Sequence, residues 1–199
     1  MRYNTEHKQQ TRNKLLDAAA RTIREQGPER ISVANVMAEV GLTHGGFYAH
    51  FPSKEALIVA SIEHMYEQTD ARFVQSLQDK DAREALADYV DFYLSDAHCR
   101  ARGRGCPMAA LGSDLPRLDD ASKKSFAEGM ARLSKRLSDL FGQLGEDNPD
   151  AAARSMRSEL LGALVTARLV EPRERKAVLE ASRQALRQRF NLEIKTQRK

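Results

Sequence analysis

The run Gly41-Leu42-Thr43-His44-Gly45-Gly46-Phe47-Tyr48-Ala49-His50-Phe51-Pro52-Ser53-Lys54 sets phosphate-seeking groups between aromatics of the kind that fill cores. Thr43, Tyr48, His50 and Lys54 offer hydroxyl, imidazole and ammonium donors to phosphate oxygens. Phe47 and Phe51 stand four apart, the spacing that anchors one face of a short helix. Gly45 has no Cβ and lets another backbone come close. Ser53 opens a further helix, whose first N–H groups and positive dipole end favour an anion.

Cys106 is the second place where chemistry could occur. It lies in Arg102-Gly103-Arg104-Gly105-Cys106-Pro107-Met108, just before an expected helix. A helix N-terminus and two guanidinium groups would favour the reactive thiolate. The plainer reading is a small cysteine at a helix cap. Cys99, upstream, reads as a resolving thiol or as a structural helix-end residue. His98, Cys99 and Cys106 lack a repeated ligand spacing, so neither a metal nor a cofactor is expected.

These groups need a helical scaffold to place them. Trp is absent and β-branched residues are sparse beside Ala, Leu, Arg and Glu, which favours an all-α fold. The spacing predicts about nine helices. Leu15, Leu16, Ala19, Ala20 and Ile23 mark the first, from Lys8 to Gln26, after a polar and frayed start. Ser32 caps a second that runs through Val40, and Gly41 supplies the positive φ that ends it. Thr43 caps a third, ending near His50, and Ser53 opens a fourth toward Phe73. A fifth covers Arg83 to His98, and Pro107 starts a sixth. A seventh begins at Asp119 or Asp120, an eighth covers Asp150 to Val170, and Pro172 opens the last, reaching Phe190. The tail from Lys195 reads as basic and loose.

The chain has 199 residues, 30% charged, with a net charge of +4. That is room for one large or two small domains, and a basic balance that permits nucleic-acid binding. No apolar run is long enough to span a bilayer, no leader is visible, and two cysteines cannot form a disulfide framework. The expectation is a reduced, cytoplasmic protein.

Two short helices joined at Gly41 make a helix-turn-helix whose second member is free to enter the major groove of DNA. This segment resembles the DNA-binding domain of TetR-family bacterial repressors. The matching residues are Gly41, Thr43, Gly46, Phe47, Tyr48, His50, Phe51, Ser53, Lys54, Glu55 and Leu57, preceded by Ile31-Ser32-Val33 and by Val36, Ala38 and Val40. The resemblance implies a three-helix, homeodomain-like domain over residues 8–53 and a helical regulatory and dimerisation domain over 54–192. It implies that His44, Gly45 and Tyr48 face base edges or the adjoining sugar-phosphate. Thr43, Gly46, His50 and Lys54 would contact phosphates, and Ser32 would cap its helix against the other strand. Thr43 and Ser53 also read as simple caps, and Tyr48 as half-buried core. The recognition helix holds no Arg, Asn or Gln, so sequence reading would lean on few direct contacts plus DNA shape.

A single such motif reads half a site, and two-fold pairing doubles the contacts. The resemblance implies a homodimer joined by the last two long helices. Met156, Leu160, Ala163, Leu164 and Ala167 would serve on one and Val178, Ala181, Ala185 and Leu186 on the other, unless those stripes only close the monomer core. It further implies an effector cavity lined by Met65, Tyr66, Tyr89, Tyr93, Met108, Leu111, Phe126 and Met130, each of which also reads as plain core. The stretch from Gly105-Cys106 to Gly129 resembles the branch that controls electrophile-detoxifying reductases, where a cysteine at this place senses electrophiles or oxidants. The expected function is a sequence-specific transcriptional regulator, a repressor released by a small-molecule effector or by modification of Cys106. The rival is an architectural or nonspecific nucleic-acid binder without effector. No nucleophile–base–acid set or phosphate loop supports an enzyme.

Overall fold

In the computed structural model, which describes residues 2–193, the described residues contain helices and no strand. The α-helices among them are α1 (Arg2–Gln26), α2 (Val33–Glu39), α3 (Lys54–Ser76), α4 (Ala82–Tyr93), α5 (Asp96–Arg100), α6 (Pro107–Leu111), α7 (Asp120–Gln143), α8 (Pro149–Leu169) and α9 (Pro172–Arg189). Short 3-10 helices cover His44–Ala49, Arg102–Arg104 and Leu115–Arg117. Helix α1 starts well before Lys8, so the expected frayed segment is helical from Arg2. Glu6, Lys8, Gln9 and Gln10 are good helix formers, and they extend a helix already nucleated by its apolar face. The tail from Lys195 lies outside the described residues.

The chain forms two units. One comprises the described residues up to Gln68 together with Arg102–Gly129; the other comprises Thr69–Ala101 and the described residues from Met130 onward. This differs from a linear division near residue 53, because the segment Arg102–Gly129 returns to pack beside α1.

The first unit is built around Leu15, Ala19, Ile23, Ile31, Val36, Met37, Phe47, Phe51 and Leu57, all buried. Each large apolar side chain among them contributes about 1.5–3 kcal/mol by leaving water. Ser32 caps α2 by accepting from the Asn35 N–H at 3.4 Å. Gly41, at φ +75°, ends it. There the Gly41 N–H donates to the Ala38 carbonyl at 3.0 Å and the Leu42 N–H to the Met37 carbonyl at 2.9 Å. This pair of bonds satisfies the last carbonyls of α2 and needs a left-handed residue at the turn. Arg24 is buried, and its guanidinium donates to the Met65 and Gly103 carbonyls and to Gln68. A Cβ on Gly103 would lie 2.3 Å from Glu25 Oε1 and 2.8 Å from Arg21 Cγ, so glycine lets this turn lie against α1.

In the second unit, Asp81 and Glu84 form a reciprocal capping box at the start of α4. The single helix expected to reach His98 is instead two. Ser95 Oγ accepts the His98 N–H at 3.0 Å and restarts the chain as α5, which shows the local side-chain bond winning over continuation. His98 is buried, with Nδ1 donating to the Tyr93 carbonyl at 2.7 Å. Burial pushes its pKa below the usual imidazole range, and the charges of Arg168 and Arg72 add to that. Asn148 caps α8, and Pro149 occupies its first turn. Helices α8 and α9 bury Met156, Leu160, Leu164, Ala167, Leu179 and Leu186 within this unit.

Candidate nucleic-acid interface

Two aromatics hold the recognition segment to the first unit. Phe47 and Phe51 are buried, with ring centroids 5.8 Å apart. Between them Tyr48 points outward and is 66% exposed, so it is not half-buried core. Its ring meets Phe47 edge-on at 5.4 Å and His44 at 6.5 Å. His44 and Tyr48 therefore form one exposed face.

The segment is wound more tightly than an ordinary α-helix. The Gly46 N–H donates to the Thr43 carbonyl at 3.0 Å and the His50 N–H to the Phe47 carbonyl at 2.9 Å, both three residues back. Adjacent glycines weaken the α-helical preference, and a 3-10 turn is the short alternative. Thr43 occupies the cap position without a side-chain cap bond, so its hydroxyl remains exposed. Gly45 is exposed and a Cβ there would meet nothing within 4 Å. Gly46 differs from its neighbour: it is half-buried and faces Met37, whose Cε would lie 3.5 Å from an added Cβ.

Ser53 does act as a cap, accepting the Ala56 N–H at 3.1 Å. Lys54 begins α3, and its Nζ donates to the Glu29 carbonyl at 3.2 Å. An ammonium carries three donors, so this bond fixes the side chain and leaves two N–H groups for an anion. His50 is half-buried, and its Nδ1 is buried without a hydrogen-bond partner. Burial holds its pKa below the ordinary value, reinforced by the charges of Lys8 and Arg12. Neither cation was apparent as part of this surface from the sequence. The signal that could have found Arg12 is its register on α1, since its guanidinium lies 4.5 Å from the Phe51 ring centroid.

Residues 15–60 match the family model described as bacterial regulatory proteins, tetR family. The chain belongs to the TetR family. It is a DNA-binding transcriptional regulator of helix-turn-helix type, in a family of regulators rather than enzymes. An uncharacterized HTH-type transcriptional regulator from the lacX 3' region of Lactococcus lactis is 24% identical over 167 residues, covering 81% of this chain and 85% of its own length. CymR of Pseudomonas putida is 32% identical over 100 residues, which is 48% of this chain and 49% of CymR. The crystal structure of reduced Escherichia coli NemR shares the fold at TM-score 0.78 and 21% identity, over 90% of this chain and 96% of that one. TetR-family regulators bind DNA operators and act as dimers. Among the described residues of this TetR-family chain, no helix is long and apolar enough to cross a membrane.

The remaining candidates divide between the units. Met65, Tyr66, Leu111 and Phe126 are buried in the first, where Tyr66 and Phe126 meet edge-on at 5.3 Å, and Met108 is half-buried there. Tyr89 and Tyr93 are buried in the second with centroids 5.9 Å apart, and Met130 is half-buried. Cys106 is half-buried at the cap of α6, which has only 5 residues, and it makes no side-chain cap bond. Cys99 is buried in the second unit. No group of three or more His, Cys, Asp or Glu among the described residues could hold a metal ion.

The stripes expected at a dimer contact are mostly spent inside the protomer. Met156, Leu160, Ala163, Leu164, Ala167 and Leu186 are buried, because they face the core between α8 and its neighbours. Val178 and Ala185 are half-buried and Ala181 is exposed. The outward face of α8 carries Gly162, Val165 and Leu169, the last 81% exposed. Sequence periodicity found the inner stripe.

Proposed function

We propose that this regulator is a repressor that reads its operator with the segment from Thr43 to Lys54. Gly45 carries this reading. Its backbone is not in the left-handed region and a Cβ would have open space around it, so the fold makes no demand for glycine there. The demand comes from outside the chain, from a duplex that must approach the backbone closely. His44 and Tyr48 then face base edges, while Thr43, His50, Lys54 and the backbone at Gly46 take phosphates. Ser32, which caps α2, sets that helix against the backbone of the other strand. Gly45→Leu should leave the thermal midpoint within about a degree or two and weaken binding to the DNA upstream of its own gene more than tenfold. Full binding by that variant would reject the assigned face.

Pairing of two copies uses the outer face of α8. Leu169 and Val165 on α8 and Ala181 on α9 are apolar and exposed, and a Cβ built on Gly162 would meet nothing within 4 Å, so a partner helix can approach closely. Leu169→Lys should convert the dimer to monomer at micromolar concentration in sedimentation velocity while preserving helicity. A dimer of unchanged affinity would place the contact elsewhere.

Release of the operator is a population shift. An effector or a modified Cys106 favours a state in which the two reading segments no longer match successive grooves. Moving such an equilibrium from 1:99 to 99:1 takes about 5.5 kcal/mol of differential affinity. Cys106 has the solvent access that an electrophile needs, and NemR, similar in fold, is described as a reduced form. Cys106→Ser should keep DNA binding and lose release by N-ethylmaleimide. Release that persists in the variant would remove Cys106 from the switch and leave the apolar candidates around Tyr66 and Phe126.

A further inference from the structure

We propose that Lys8 and Arg12 of α1 form, together with His50, a clamp for one backbone phosphate of the duplex. The proposal rests on the reading of the Thr43–Lys54 segment as the DNA-facing surface and extends that surface onto a helix outside the helix-turn-helix.

Lys8 and Arg12 are four residues apart, so they share one face of α1. Arg12 is held in place: its guanidinium lies over the Phe51 ring, 4.5 Å from the centroid, and Phe51 is buried. The ring fixes the fork without using any of its N–H donors. Several other arginines of this chain are supplied with carboxylates, as in Arg21 with Glu39, Arg117 with Asp114, Arg132 with Asp70 and Arg187 with Asp91. Among the described residues, neither Lys8 nor Arg12 has such a pair. The charges of both cations act on the His50 imidazole and disfavour its charging, and that imidazole carries a buried nitrogen with no partner. Like charges gathered without a counterion are unfavourable in the free protein. A phosphodiester reverses the sign of every one of these interactions, since it accepts from the guanidinium and the ammonium and favours the imidazolium. Phosphate is the anion at hand, because His50 directly follows the segment that carries Tyr48.

The test uses the full chain and a double-stranded fragment selected from a random pool by the wild-type protein, with Kd measured at several salt concentrations. Each phosphate contact contributes about 0.9 to the slope of log K against log salt. Lys8→Gln and Arg12→Gln should each flatten the slope by about 2 for a dimer and weaken operator and unrelated duplex by similar factors. Arg12→Lys, which keeps the charge, should retain most of the slope. Unchanged affinity and slope in both Gln variants overturns the clamp, as does a loss confined to the operator with no change of slope. Lys8 makes no hydrogen bond or ion pair among the described residues, so Lys8→Gln remains decisive if Arg12→Gln disturbs Phe51. Failure of the underlying reading shows differently: Tyr48→Phe with Lys54→Ala would then bind the operator normally.

Discussion

Tyr48→Phe combined with Lys54→Ala is expected to weaken operator binding roughly a thousandfold while leaving the circular dichroism spectrum unchanged. Two groups are lost on each of two protomers; at about 1 kcal/mol each they sum to about 4 kcal/mol. The fold survives because neither change removes a packed group. Phenylalanine keeps the ring that lies against Phe47 and His44, and only an exposed hydroxyl goes. Lys54 gives up one bond to the Glu29 carbonyl, near the surface where water can replace it. Ser53 continues to cap α3, so the helix start is retained. The comparison that matters is between operator and unrelated duplex. The Tyr48 change should narrow that ratio, whereas the Lys54 change should weaken both alike. Wild-type affinity in the double variant, measured by fluorescence anisotropy at fixed salt, would mean that the duplex meets some other surface.

The helix-turn-helix was legible because its determinants are local. Ser32 before an apolar run, Gly41 after it, and two phenylalanines four apart each specify a cap, a turn or an anchor within a few residues. What the sequence left open depends on contacts between distant segments. Nothing near Lys8 or Arg12 announces that α1 will bring them to His50. Likewise, an apolar stripe on the eighth helix says that it will be covered, not what will cover it; the second unit consumed the stripe ending at Ala167 and left Val165 and Leu169 outside. The division into units was hidden for the same reason. The return of residues 102–129 beside α1 depends on Gly103, whose role is visible only once Arg21 and Glu25 are seen against it. The tight winding at His44–Ala49 was foreshadowed by Gly45-Gly46, but the composition alone does not choose between a 3-10 turn and an α-turn.

Gly129 shows how one missing methyl group can decide the first unit. It lies in α7, and a Cβ at this position would stand 2.2 Å from Tyr66 Cγ, 2.3 Å from Cδ2 and 2.7 Å from Cβ. These atoms are at the base of a ring that is itself buried and packed edge-on against Phe126. A flexible tip could swing away; the root of a buried tyrosine cannot without moving α3. Overpacking costs typically 1–3 kcal/mol, and a clash this deep belongs at the top of that range or above it. Gly129→Ala should therefore lower the thermal midpoint by roughly 10 °C, at about 2–4 °C per kcal/mol for a chain of this size. Gly142→Ala in the same helix is the control: its Cβ would meet Pro149 Cγ at 3.8 Å, an ordinary contact, so helix propensity alone acts and stability rises by about 0.5–1 kcal/mol. Tyr66→Ala opens a cavity and is itself destabilising by about 3–5 kcal/mol. Combined with Gly129→Ala it should lose less than the two separate losses together, because the methyl group then enters space the ring has vacated. Additive losses in that cycle, or a Gly129→Ala protein as stable as Gly142→Ala, would show that α3 and α7 are not held at the distance this glycine permits.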